Sequence, residues 1–169
     1  MKINRRIAAL IALGAATTAC APAKPAPADS AHLTAARTTA VRDSVKVLLA
    51  EFLEKMNKGD MDGVGKLYSD DSSFFWIEGA AVRFQSAKDV RAGLMTLKGI
   101  PEISMKFYET HIDVLAPTIA NVRTEFSQTF LDGKGKGDTY GGYMTITVLR
   151  EADGWKFRNG HASSRRPRI

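Results

Sequence analysis

Ala120-Asn121-Val122-Arg123-Thr124-Glu125-Phe126-Ser127-Gln128 places Ala, Val, Thr, Phe and Gln at even positions and Asn, Arg, Glu and Ser at odd ones. Such alternation is the period of a β-strand with one face on a core and one in water. The pattern has company. Glu102 to Ala116 reads as one long strand, Tyr140 to Arg150 as another and Trp155 to Ser163 as a last one. Gly133 to Gly137 reads as a flexible hairpin loop and Asp153-Gly154 as a tight turn. The chain beyond Pro101 is therefore expected to form a meandering antiparallel sheet.

Before Pro101 the period is helical. Val41, Val45, Leu48, Leu49, Phe52, Leu53 and Met56 recur at spacings of three, four and one, the stripe of an amphipathic helix of about five turns. Lys55 and Lys58 suit its C-terminus, and Gly59 ends it. Asp60 can cap a second, shorter helix through Val64, Leu67 and Tyr68. Ser73 to Ile77 is aromatic and β-branched, as a strand requires, and a short strand around Val82 and Phe84 follows the turn at Gly79. Ser86-Ala87-Lys88-Asp89 opens a third helix carrying Val90, Leu94 and Leu97, which Gly99 and Pro101 stop. His111 interrupts a regular strand pattern and points to a bulge. Helices ahead of an antiparallel sheet make an α+β fold.

Composition narrows the function classes. The chain has 169 residues, 44% hydrophobic and 25% charged, which suits one globular domain with short additions. Its formal charge of +6 concentrates at the ends: Lys2, Arg5 and Arg6 at one, Arg165, Arg166 and Arg168 at the other. Val41 to Ser164 holds 16 basic and 17 acidic residues, a net of −1. With no zinc finger and no aromatic RNA-binding run, no nucleic-acid partner is expected. One cysteine and three scattered histidines, His32, His111 and His161, predict no metal and no cofactor.

The N-terminus reads as an export address. Lys2, Arg5 and Arg6 precede an uncharged apolar run of ten residues, Ile7 to Ala16, too short to span about 30 Å of hydrocarbon. Small residues and then Cys20 follow, the layout of a signal peptide over residues 1–19. Thr17-Thr18-Ala19-Cys20 resembles the lipobox of bacterial lipoproteins, although Thr17 stands where that family usually has an aliphatic residue. The resemblance implies acylation of Cys20 and a membrane anchor in the cell envelope, facing the periplasm in a Gram-negative cell. Plain secretion is the alternative. Residues 20–40, with Pro22, Pro25 and Pro27, read as the anchor and an extended tether, with helix resuming after about Ser30. Residues 41–164 are the domain and 165–169 a basic tail.

Met56-Asn57-Lys58-Gly59-Asp60-Met61-Asp62, with Leu67-Tyr68 and Asp70-Asp71, resembles the first helical hairpin of the nuclear transport factor 2-like superfamily. Gly154-Trp155-Lys156-Phe157, with His161-Ala162-Ser163, resembles its closing strand in the polyketide-cyclase-like (SnoaL-like) branch. The likeness spans Val41 to Ser164. It implies a cystatin-like curved sheet around a helical layer, forming a cone with a pocket, and pairing of two copies through the outer sheet face. Its members include cyclases, isomerases, dehydratases and non-catalytic binding domains, so fold leaves activity open.

Alternation places Trp155, Phe157, Asn159, His161 and Ser163 on one face of the last strand, an apolar floor with a polar end. Trp76, Tyr143, Asn159 and His161 are accordingly expected to line one ligand cavity. His161 is the candidate general acid or base, with a histidine hydrogen-bonded at a strand end as the alternative. Glu78 alternates with Trp76 and reads as a solvated turn residue, or as a base if it lies in an apolar cone. Phe107, Phe126 and Phe130 are expected on a different face from Trp155, where a homodimer would cover them. With no carboxylate placed beside His161, a small-ligand-binding or accessory module is the expected function. The alternative is a cyclase- or isomerase-type enzyme acting by acid–base chemistry on a small hydrophobic carbonyl compound.

Overall fold

The computed structural model describes residues 33–165. The expected signal peptide, Cys20, His32, the proline-bearing tether and residues 166–169 lie outside the described residues. Three helices and six strands follow one another: α1 (Ala35–Asn57), α2 (Met61–Gly65), β1 (Phe75–Glu78), β2 (Ala81–Phe84), α3 (Ala87–Met95), β3 (Glu102–Ala116), β4 (Ile119–Leu131), β5 (Gly137–Glu151) and β6 (Gly154–Arg165).

Helix α1 starts ahead of residue 41, inside the expected tether, because Thr34 caps it: its hydroxyl accepts from the Arg37 N–H at 3.2 Å. The expected stripe is the buried face, Val41, Val45, Leu48, Leu49, Phe52 and Met56. Asp60 caps α2 by accepting from the Gly63 N–H at 2.8 Å. This helix stops short of Tyr68, because β6 claims the chain that follows. The Phe157 N–H donates to the Leu67 carbonyl at 2.8 Å, and the Ser69 N–H donates to the Phe157 carbonyl at 2.9 Å. Ser86 caps α3 through the Asp89 N–H. Gly79 and Ala80 join β1 to β2 with φ of 58° and 65°, left-handed at both positions as a tight two-residue hairpin demands.

The six strands form one curved sheet in the order β2-β1-β6-β5-β4-β3. All neighbours are antiparallel except β1 and β6, which run parallel. The four strands beyond Pro101 form the expected antiparallel meander, and β1, from ahead of Pro101, joins its last strand in parallel. Helix α1 packs on the sheet, and Phe52 meets Phe157 edge-on at 5.2 Å and stacks on Phe107 at 5.9 Å. Phe107, Phe126 and Phe130 therefore share the core with Trp155 instead of facing outward.

Two bulges set which residues face inward. In β3 the register shifts between Tyr108 and His111, beside the expected position, and Glu109 takes a φ of 28°. Inward residues change from Ile103 and Met105 to Ile112. In β6 Arg158 is the extra residue, since Val148 pairs with Phe157 while Thr147 pairs with Asn159. Phe157 is held by Leu67 and Ser69 as above, whereas pairing with β1 begins at Asn159. Arg158 fills the step, and its guanidinium contacts Ser73 and Asp71. After it the inward residues are Gly160 and Ala162, and Asn159, His161 and Ser163 turn to the opposite face.

Candidate functional site

On the helical side of the sheet lies a cavity of about 530 Å³, within the size range of small-molecule sites. Its buried wall comes from every layer: Phe52 and Met56 of α1, Val90 and Leu94 of α3, Met105, Phe126 and Met144 of the sheet. Trp76 lies across β6 at Gly160, its strand partner. A Cβ at residue 160 would stand 2.6 Å from the indole, so glycine gives the ring its seat. Tyr68 meets the same indole edge-on, with ring centroids 5.7 Å apart.

Tyr68 also meets Phe74 and Phe157 edge-on or tilted. It lines the cavity while only 8% exposed, and its hydroxyl makes no hydrogen bond within the described residues. Burial pushes its ionisation well above the ordinary tyrosine range, and the negative charge of Glu78 pushes the same way. The hydroxyl is therefore neutral and available as a donor. Glu78 lines the cavity from an exposed position, and one carboxylate oxygen accepts from the Trp76 indole N–H at 3.0 Å. Arg83 lies at the same mouth, its guanidinium carbon 5.7 Å from the Phe84 ring centroid. Glu78 thus ends its strand at the turn, as one expectation had it, and also lines the cone.

Of the residues expected to converge, Trp76 alone lines this cavity. Tyr143 is 59% exposed on the outer face, because Met144, Ile146 and Val148 are the inward residues of β5. Asn159 and His161 border a shallow outer depression with Asp113, Asn121, Arg123 and Thr145, placed there by the bulge at Arg158. His161 makes no hydrogen bond within the described residues, so the candidate acid–base residue stands outside the cone. Of the polar residues that line the cavity, which include Tyr68, Arg83, Gln128 and Tyr140, the sequence reading singles out Glu78 alone. Tyr68 reads as a helix residue by spacing, and the burial that makes it notable has no sequence signature. Glu78 is legible because it alternates with Trp76. Among the described residues no three His, Cys, Asp or Glu side chains could hold a metal ion.

Structures of the same fold come from several bacteria. A protein provisionally named a scytalone dehydratase, from Novosphingobium aromaticivorans DSM 12444, superposes with a TM-score of 0.70 at 14% identity, over 80% of this chain and 89% of that one. A nuclear transport factor 2-like protein of unknown function from Shewanella oneidensis MR-1 gives a TM-score of 0.59 at 24% identity, over 72% and 98%. A protein with a cystatin-like fold from Caulobacter vibrioides gives 0.60 at 14%, over 76% and 92%. These likenesses establish the fold and leave activity open. No curated protein matches the sequence. The SnoaL-like domain family matches residues 45–167, and with this fold the chain belongs to the SnoaL-like branch of the nuclear transport factor 2-like superfamily.

Proposed function

We propose that the chain is an exported, lipid-anchored protein of the bacterial cell envelope whose domain binds a small, largely apolar ligand in the cone. The observation that carries this reading is the cavity: a wall of aromatic and methionine side chains, among them a largely buried tyrosine whose hydroxyl makes no hydrogen bond within the described residues. A ligand oxygen seated in the cavity would accept from this hydroxyl. Met56, Met105 and Met144 can adapt to the shape of the guest. The signal-peptide layout and the residues before Cys20 support the anchor.

A second reading rests on Glu78. A carboxylate and a neutral phenol in one cavity are the parts of a proton-transfer enzyme acting on a small carbonyl compound. The arrangement supports binding more directly, since the Trp76 indole already occupies one oxygen of Glu78.

Protein purified from its own membranes should release a small molecule on denaturation, read by mass spectrometry. Ala162→Phe, which points into the cavity, should lose that cargo while keeping its circular dichroism spectrum. Cys20→Ser should move the protein from membrane to soluble or unprocessed fractions. Unchanged membrane association, with no lipid mass on the parent protein, would defeat the anchor. An empty cavity that also takes up no apolar fluorophore would defeat the ligand.

A further inference from the structure

The depth and the mouth of the cone differ in chemistry. The buried lining side chains are apolar apart from the Tyr68 hydroxyl and the Trp76 indole N–H, and Gln128 adds a half-buried amide, whereas Glu78 and Arg83 are exposed cavity residues of opposite charge. Neither forms an ion pair within the described residues. Their situations are unequal. Glu78 already accepts the Trp76 N–H, whereas the Arg83 guanidinium, with five N–H donors, makes no hydrogen bond within the described residues. The nearby Phe84 ring is positioned to favour a guanidinium on its face. Phe84 is itself pressed against Gly93 of α3, where a Cβ would lie 2.9 Å from the ring. The surplus donor capacity at the mouth is therefore cationic, planar and backed by a packed ring.

From this we infer that the ligand is an amphiphilic acid. Its carboxylate pairs with Arg83 at the mouth, its apolar body fills the cone, and an oxygen farther along it accepts from Tyr68. A guanidinium binds a carboxylate through two parallel N–H···O bonds, which also fixes the direction of entry. Glu78 then acts on specificity: its charge opposes a second anionic group and accepts from a ligand hydroxyl or amide beside the acid. This inference rests on the proposed ligand-binding cone.

A matched probe pair separates the two claims. 2-Naphthoate and methyl 2-naphthyl ketone share an apolar body and a carbonyl, and only the first carries a charge. Binding is read by calorimetry on the detergent-solubilised full chain, with displacement by an excess of either probe. Naphthoate should bind about tenfold more tightly than the ketone, the size of one charge-assisted hydrogen-bonding contact. Arg83→Gln should remove that preference and leave the ketone within about twofold of its original affinity. Glu78→Gln should tighten naphthoate severalfold. Equal binding of the two probes to the parent protein, or equal losses for both in Arg83→Gln, overturns the acid while the apolar cone stands. If neither probe binds, the cone reading falls and this inference with it.

Discussion

A phenol enclosed by Phe74, Trp76 and Phe157 resists ionisation, because the charged form would lose water and gain no donor. Tyr68 is in that position, and its folded-state pKa is raised by burial first and by Glu78 second. The sign of the consequence is fixed. Below about pH 10, the ordinary tyrosine value, both folded and unfolded chains hold the proton and stability is complete. Above it the unfolded chain releases a proton that the folded chain keeps. Stability then falls by about 1.4 kcal/mol per pH unit until the folded-state pKa is reached. Tyr68→Phe lacks this term, while the other three tyrosines titrate in both proteins. Urea midpoints between pH 9 and pH 11 should therefore fall more steeply for the parent chain than for Tyr68→Phe. Equal slopes would mean that the Tyr68 hydroxyl is hydrated.

At the level of elements, Asn57 at the end of α1 does the work of a missing strand. β3 is the sheet edge, and the Asn57 side chain caps it at Met105 with two bonds. Its Oδ1 accepts from the Met105 N–H at 2.6 Å, and its Nδ2 donates to the Met105 carbonyl at 3.1 Å. Asn57→Ala should cost about 1–3 kcal/mol in urea unfolding by stripping partners from two half-sheltered backbone groups. It should also promote aggregation through the opened edge. A loss below about 0.5 kcal/mol would show that water replaces the amide fully. Asn57 belongs to the segment whose resemblance identified the fold, yet its contact with residue 105 is long-range and has no local signal. The same limit explains the cavity. Element order was legible because hydrophobic period is local, and Glu102–Ala116 came out at its full length. The phase of β5 was equally legible in Met144, Ile146 and Val148, and it excludes Tyr143 from the cone. The phase of β6 was hidden, because the residues turned inward after Arg158 are Gly160 and Ala162, too small to mark a hydrophobic face.

For the whole molecule, the sheet separates two environments. Its inner face closes the cone, and its outer face carries charge and aromatic surface that nothing in the described residues covers. Tyr108, Glu125 and Tyr143 form one cross-strand row, and His111, Arg123, Thr145 and His161 the next. Tyr108, Tyr143 and Phe75 are exposed, and Asp113, Arg123 and Glu125 make no ion pair within the described residues. A two-fold axis through this face would set each Arg123 against an acidic residue of the second copy. We propose that the homodimer expected from sequence forms here, through these residues instead of Phe107, Phe126 and Phe130. The chain from Ser30 onward should sediment as a dimer at tens of micromolar. Tyr143→Asp, which places an exposed negative charge beside Glu125 that the dimer would bury, should sediment as a monomer with an unchanged circular dichroism spectrum. Arg123→Glu should do the same, and added salt should weaken the parent dimer to the extent that Arg123 is paired across the axis. Monomer alone at high micromolar parent protein would reject the dimer. A dimer indifferent to both substitutions would place the interface on another surface and leave the outer depression around His161 open to solvent.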